Sequence, residues 1–162
     1  EDSVMPDMIP DYSRCVLEAR PEWFLMENVT GAPAPETPGY HLTQRICDNR
    51  WCGGDQRRRR RFTFGSRQPH SFHIEGEVFE TIDELPTVVS TGQADWKGSA
   101  QRSRASIEYM AKAQGLDPAR FDNSPFSITE LRRAIANGVP LPMGRAVARA
   151  VKAATTPALV AA

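Results

Sequence analysis

Cysteine is scarce in this 162-residue chain: Cys15, Cys47 and Cys52 are all there is. Three thiols make no disulfide framework and suit a reducing cytoplasm. Apolar runs are short, so none can span a bilayer, and no basic, apolar, small-residue pattern opens the chain as a secretory leader would. Together these absences exclude a membrane protein and point to a cytoplasmic one. Internal repeats are missing, which excludes a solenoid. A Gly-x-Ser-x-Gly elbow is missing too, which removes the usual serine nucleophile. Metal binding finds no support: Cys47 and Cys52 are separated by four residues and His70 and His73 by two, without the paired knuckles a structural zinc needs. Net charge is also lacking, since 20 basic residues balance 20 acidic ones. The length fits one domain with a sizeable core, or a large part of a bigger one. The opening residue is Glu1 rather than methionine, which leads us to expect processing, an artificial boundary or a truncated reading frame.

What is present is concentrated. Five of the 20 basic residues stand together at Arg57–Arg61, behind Gln56 and before the apolar Phe62-Thr63-Phe64. In a neutral chain such a block reads either as a built anion site or as a solvated basic loop. On an extended chain alternate side chains share a face. Arg58 and Arg60 would then point together, with Arg57, Arg59 and Arg61 pointing away. Two guanidinium forks on one face can hold a phosphate, a carboxylate or a base edge.

The patterning around this block is that of an α/β chain. Met8, Tyr12, Cys15, Val16 and Ala19 recur at helical spacing behind Pro10, predicting an amphipathic helix that ends near Arg20-Pro21. The unbroken apolar run Trp23–Met26 then reads as a strand buried on both faces, as in a parallel sheet with helices on each side. Glu27 and Asn28 fall at its carboxyl end, where open α/β sheets bind ligands. A carboxylate buried there would be desolvated, its pKa would rise, and it could donate a proton near neutral pH. It could equally cap the next turn or pair with an arginine. A proline-rich loop spans residues 31–39, and further strands are predicted over 40–46 and 61–64. Residues 66–103 are polar and irregular in composition, with short candidate strands at 72–74 and 87–89. Helical signals return with Ile107, Met110 and Ala111, stopped by Gly115. Ser127–Glu130 is a capping box, and Ile128, Leu131 and Ile135 form the stripe of the helix it opens. Asn137-Gly138-Val139-Pro140 makes a tight turn where backbone can approach a ligand. A last helix begins near Pro142, buries Met143, Val147 and Val151, and frays after Ala153.

In this order the blocks resemble the bacterial and phage family of DNA cytosine-5 methyltransferases. The likeness rests on Glu27-Asn28-Val29, on the Gln-x-Arg-x-Arg pattern at Gln56, Arg58 and Arg60, on Gln114-Gly115-Leu116, and on Asn137-Gly138-Val139-Pro140, with a variable gap between. It implies a partial Rossmann-like, S-adenosylmethionine-dependent methyltransferase fold with a small irregular recognition insert. The divisions it implies are residues 1–65 as part of the catalytic domain, 66–103 as the insert, and 104–162 as a helical segment packing back. The resemblance further implies that a cytosine is flipped from double-stranded DNA, that a cysteine attacks its C6, and that the methyl group goes to C5. Glu27 would hold and help protonate the N3 edge, Arg60 would hold O2, and Arg58 would support the catalytic loop or a phosphate. Asn28, Val29 and Gln56 would frame the site, and Asn137, Gly138 and Val139 would help form the cofactor pocket. The family's nucleophile follows a proline, whereas Arg14, Ile46 and Trp51 precede the cysteines here, and the family's Phe-x-Gly-x-Gly cofactor loop is absent. The chain is therefore read as the C-terminal part of such an enzyme, inactive by itself. Its missing N-terminal half would come from the same gene or from a separate chain. A non-enzymatic DNA-binding module using the arginine run is the alternative from another class.

Overall fold

The computed structural model describes residues 7–76, 85, 87–89 and 105–156. A helix, α1 (Ile9–Ala19), leads into strand β1 (Trp23–Asn28). β2 (His41–Asp48) and β3 (Arg59–Ser66) complete a sheet of order β1-β3-β2. Three helices follow: α2 (Ile107–Ala113), α3 (Ile128–Asn137) and α4 (Leu141–Thr155). Among the described residues no helix is long and apolar enough to cross a membrane, and no cluster of ligands could hold a metal.

β1 does not lie in a parallel sheet, as its apolar run led us to expect. It pairs antiparallel with β3, from Trp23 opposite Ser66 to Asn28 opposite Arg61, and β2 pairs antiparallel with β3 on the other side. β1 and β2 thus run the same way with β3 reversed between them. Nor is β1 buried equally on both faces: Phe24 and Met26 are buried while Trp23 is 42% exposed. Composition could not show this, because Trp contributes to an apolar run whichever side it faces. Phe24 meets Tyr12 of α1 and Tyr40 edge-on, with centroids at 6.0 and 5.2 Å. Its ring also lies over Gly65, its partner across the ladder; a Cβ there would come within 2.2 Å of it. Glycine at 65 is a packing requirement.

The opposite face of the sheet carries the first core. Phe62, Phe64 and Cys47 pack with Phe72 and with Met143, Val147, Ala150 and Ala154 of α4. Phe64 and Phe72 stack at 5.0 Å. Ala154 is helical and 8% exposed, so the end of α4 is packed rather than frayed after Ala153. A second core joins α2 and α3: Met110, Ala113, Ile135 and Ala136 surround Val88. The capping box at Ser127 and Glu130 forms as expected, and Gly115 (φ +72°) ends α2. Ile128, by contrast, is 60% exposed, leaving Leu131 and Ile135 as the buried stripe of α3. Cys15 is exposed too; on α1 the buried positions are Ser13 and Val16. Residues 72–74 are irregular, and residues 77–84, 86 and 90–103 of the expected insert lie outside the described residues.

Candidate active site

The antiparallel ladder decides which charged groups meet. Glu27 lies opposite Phe62, one alternate position along β3 from Arg60, and opposed residues share a face of the sheet. Glu27 and Arg60 therefore stand on the same face at the end of β1. Arg60 Nε donates to Glu27 Oε1 at 2.7 Å, with side chains 19% and 30% exposed. Arg60 Nη1 also donates to the Arg59 carbonyl oxygen at 2.9 Å. Glu27 is thus held by a cation at a half-open strand end, rather than desolvated alone in the interior. Next to it the Asn28 side chain accepts from the Val29 N–H at 2.8 Å, and Val29 is exposed.

Arg58 does not converge with Arg60 on a common anion. It precedes β3, is 3% exposed, and points into the seam between the two cores. There Nη1 donates to the Val88 carbonyl oxygen at 3.1 Å and Nη2 to that of Ala136 at 2.7 Å. Burial, helped by the nearby Arg60 charge and opposed by Glu27, pushes its pKa down to about 10, so it remains a cation at neutral pH. The alternation expected of an extended chain holds for burial from Arg57 to Arg59, with Arg57 and Arg59 exposed and Arg58 buried, but not beyond, since Arg60 and Arg61 are both half-buried. It did not predict what each guanidinium would touch. Arg61 donates across to the Ala32 carbonyl oxygen.

Gln56 is fully buried, its amide donating to the Ala113 carbonyl oxygen at 3.4 Å, and its backbone bridges Leu85. Gln114, just after α2, does the same for the turn after α3. Its Nε2 donates to the carbonyl oxygens of Ile135 (2.6 Å) and Gly138 (3.3 Å), and its backbone carbonyl oxygen accepts from the Leu141 N–H at 2.8 Å. In the sequence Gln114 stands out only within Gln114-Gly115-Leu116, and a glutamine one place before a helix-stopping glycine is the signal of its structural role. The result is that Asn137, Gly138 and Val139 form a turn pinned from behind. Asn137 and Gly138 are exposed, and Val139 is half-buried against the first core. Gly138 has φ −67°, so its backbone conformation does not demand glycine. Through Ala136, Arg58 connects this turn to the strand carrying Arg60.

A cavity of about 890 Å³ lies between α1 and the loop after β1, lined by residues such as Ser13, Arg14 and Glu36. No residue expected at the site lines it, so it is separate from the Glu27–Arg60 pair.

Residues 2–112 match the family model described as C-5 cytosine-specific DNA methylase. The chain matches no curated protein by sequence. Among solved structures it is similar to the Entamoeba histolytica methyltransferase EhMeth, with a TM-score of 0.60 and 10% identity over 90% of this chain and 68% of that one. It is also similar to the S. pombe Dnmt2 methyltransferase, with a TM-score of 0.54 and 13% identity over 93% of this chain and 72% of that one. At such identities the likeness is one of fold, and the mixed helix and strand order is consistent with a partial Rossmann-like fold.

Proposed function

The chain belongs to the C-5 cytosine-specific DNA methylase family, and from that premise we propose that it forms the base-holding part of a DNA cytosine-5 methyltransferase. The observation that carries this reading is the Glu27–Arg60 pair at 2.7 Å. Glu27 Oε2 and Arg60 Nη2 carry no hydrogen bond among the described residues, so an acceptor and a donor stand free side by side. A cytosine turned out of double-stranded DNA offers a matching edge, with O2 and N3 as acceptors and N4–H as donor. Arg60 would hold O2. Glu27 would take the N3 edge and help to protonate N3 as negative charge builds on the ring, which is general acid catalysis at the atom where charge develops.

S-adenosylmethionine is the expected methyl donor, and it supplies an electrophilic methyl group for the ring carbon C5. The residues present fit one wall of its pocket. Asn137 is exposed with its amide unpartnered among the described residues, on a turn that Gln114 and Arg58 hold rigid. Asn137, Gly138 and Val139 would form that wall. None of the three cysteines follows a proline, so the thiolate that attacks C6 would come from another segment carrying the Pro-Cys motif.

The exposed charge weighs against a general polyanion-binding module. Of the five arginines, Arg58, Arg60 and Arg61 bond within the protein, leaving Arg57 and Arg59 exposed. The test is methyl transfer from labelled S-adenosylmethionine to duplex DNA. This chain alone should transfer nothing, and adding a segment with the Pro-Cys and glycine-rich motifs should produce C5-methylcytosine. In that completed enzyme Glu27→Gln and Arg60→Ala should each lower kcat at least about 100-fold. Activity in the chain alone, or indifference to both substitutions, would overturn the reading.

A further inference from the structure

Two cysteines that the methyl-transfer reading leaves without a role meet beneath the arginine segment. Cys47, near the end of β2, is 2% exposed and belongs to the core under α4. Across the ladder it lies directly opposite Arg60. Cys52 ends the short 3-10 turn Asn49–Cys52, and that turn brings it back until the two Sγ atoms are 3.3 Å apart. The turn is well held: Asp48 accepts from the Arg50 backbone N–H at 3.1 Å and from its guanidinium at 2.9 Å, and Gly53 closes it at φ +83°. A bonded S–S distance is about 2 Å, so little more than 1 Å of approach separates the observed pair from a disulfide. Both thiols are reduced in this structure.

We propose that Cys47 and Cys52 form a hydroperoxide-sensitive dithiol, which closes to an intramolecular disulfide at the foot of the Arg60 strand. Cys52 is the half-buried member and the one a small oxidant can reach. The Sγ contact with Cys47 lowers the Cys52 pKa, burial and the Asp48 charge oppose this, and the charge of Arg149 adds to it, so Cys52 is the more readily ionised thiol of the pair. Cys47 is held protonated by the same contact and by burial. The thiolate attacks one oxygen of the hydroperoxide, the O–O bond breaks, and hydroxide or alkoxide leaves with the electron pair. Cys52 is now a sulfenic acid. The leaving base takes the Cys47 proton, and Cys47 Sγ attacks the Cys52 sulfur, expelling the sulfenic oxygen as hydroxide, which is neutralised to water. Two thiols are oxidised and one peroxide is reduced.

The inference stands independently of the methyl-transfer reading. Its experiment is hydrogen peroxide titration of the reduced full-length chain carrying Cys15→Ser, followed by blocking of free thiols and tryptic mapping. Cleavage after Arg50 separates the two cysteines, so a disulfide appears as residues 46–50 joined to residues 51–57. We expect that linked pair, complete loss of the two remaining thiols, and full recovery with dithiothreitol. Substituting Cys52→Ser should leave Cys47 unoxidised, and Cys47→Ala should leave a Cys52 sulfenic acid that dimedone traps. If Cys47→Ala fails to fold, dimedone added during the oxidation of the Cys15→Ser chain must still trap Cys52 and not Cys47. Sulfinic acid at Cys52 with Cys47 still free, linkage between two chains, or no reaction would each overturn the proposal.

Discussion

At the end of the sheet Glu27 and Arg60 face each other with part of both side chains open to water. Two residues earlier Arg58 is sealed between the cores, and it bonds to two backbone carbonyls instead of a carboxylate. Gln56 and Gln114 sit in the same seam, each amide donating to a helix-terminal carbonyl. One short segment therefore feeds two regions that handle polarity differently. In the seam Arg58 Nη1 and Nη2 and the two glutamine amide nitrogens donate to carbonyls at helix ends or in a loop, so these bonds stabilise the fold. At the strand end an acceptor and a donor remain available, which stabilises little and leaves something for a ligand.

The largest effect on stability should come from breaking the seam. Arg58→Ala should destabilise the chain by about 3 to 5 kcal/mol in urea unfolding, because two buried carbonyls lose a charged donor. Gln114→Ala should cost about 2 kcal/mol, and hydrogen exchange should rise first at Gly138 and Leu141. A smaller and pH-dependent effect is expected at Asp48. Burial would raise its pKa, but hydrogen bonds from the Arg50 side chain and backbone and the charges of Arg50 and Arg59 hold it below the ordinary value. A lowered folded pKa means stability that is complete above about pH 4 and is lost as pH falls through the folded value. The stability gap between wild type and Asp48→Asn should therefore shrink in acid, and a gap that widens would contradict this assignment. Smallest of all, Arg60→Ala should change stability by less than about 1 kcal/mol, as for other partly exposed ion pairs. Were Arg60→Ala as damaging to folding as Arg58→Ala, the contrast between the two regions would fail.

Much of the fold was legible because local rules carried it. Pro10, the Ser127 capping box and Gly115 marked helix limits where the structure has them. The apolar run at Trp23 marked a strand, and Glu27 fell at its end. Strand direction was not legible. An apolar run describes burial and carries no information on which neighbour it pairs with. Ile128 and Cys15 were misplaced for a related reason: helical spacing groups residues on a stripe, but the width of the stripe that another element covers depends on packing.

The site divides along the same line. Glu27, Gln56, Arg58, Arg60 and the 137–139 turn could be picked out because residue type and order are properties of the chain alone. Which of them would touch was decided by register, since Glu27 opposite Phe62 puts Arg60 within reach of the carboxylate. Arg58 was turned inward by the approach of α3, whose last carbonyls need donors once water is excluded. The scarce cysteines show the division most plainly. Their number excluded a disulfide framework from the sequence alone, while a 3-10 turn between two strands set Cys47 and Cys52 at 3.3 Å. Composition counts groups, and only the folded chain sets the distances between them, which is where electrostatic and covalent chemistry is decided.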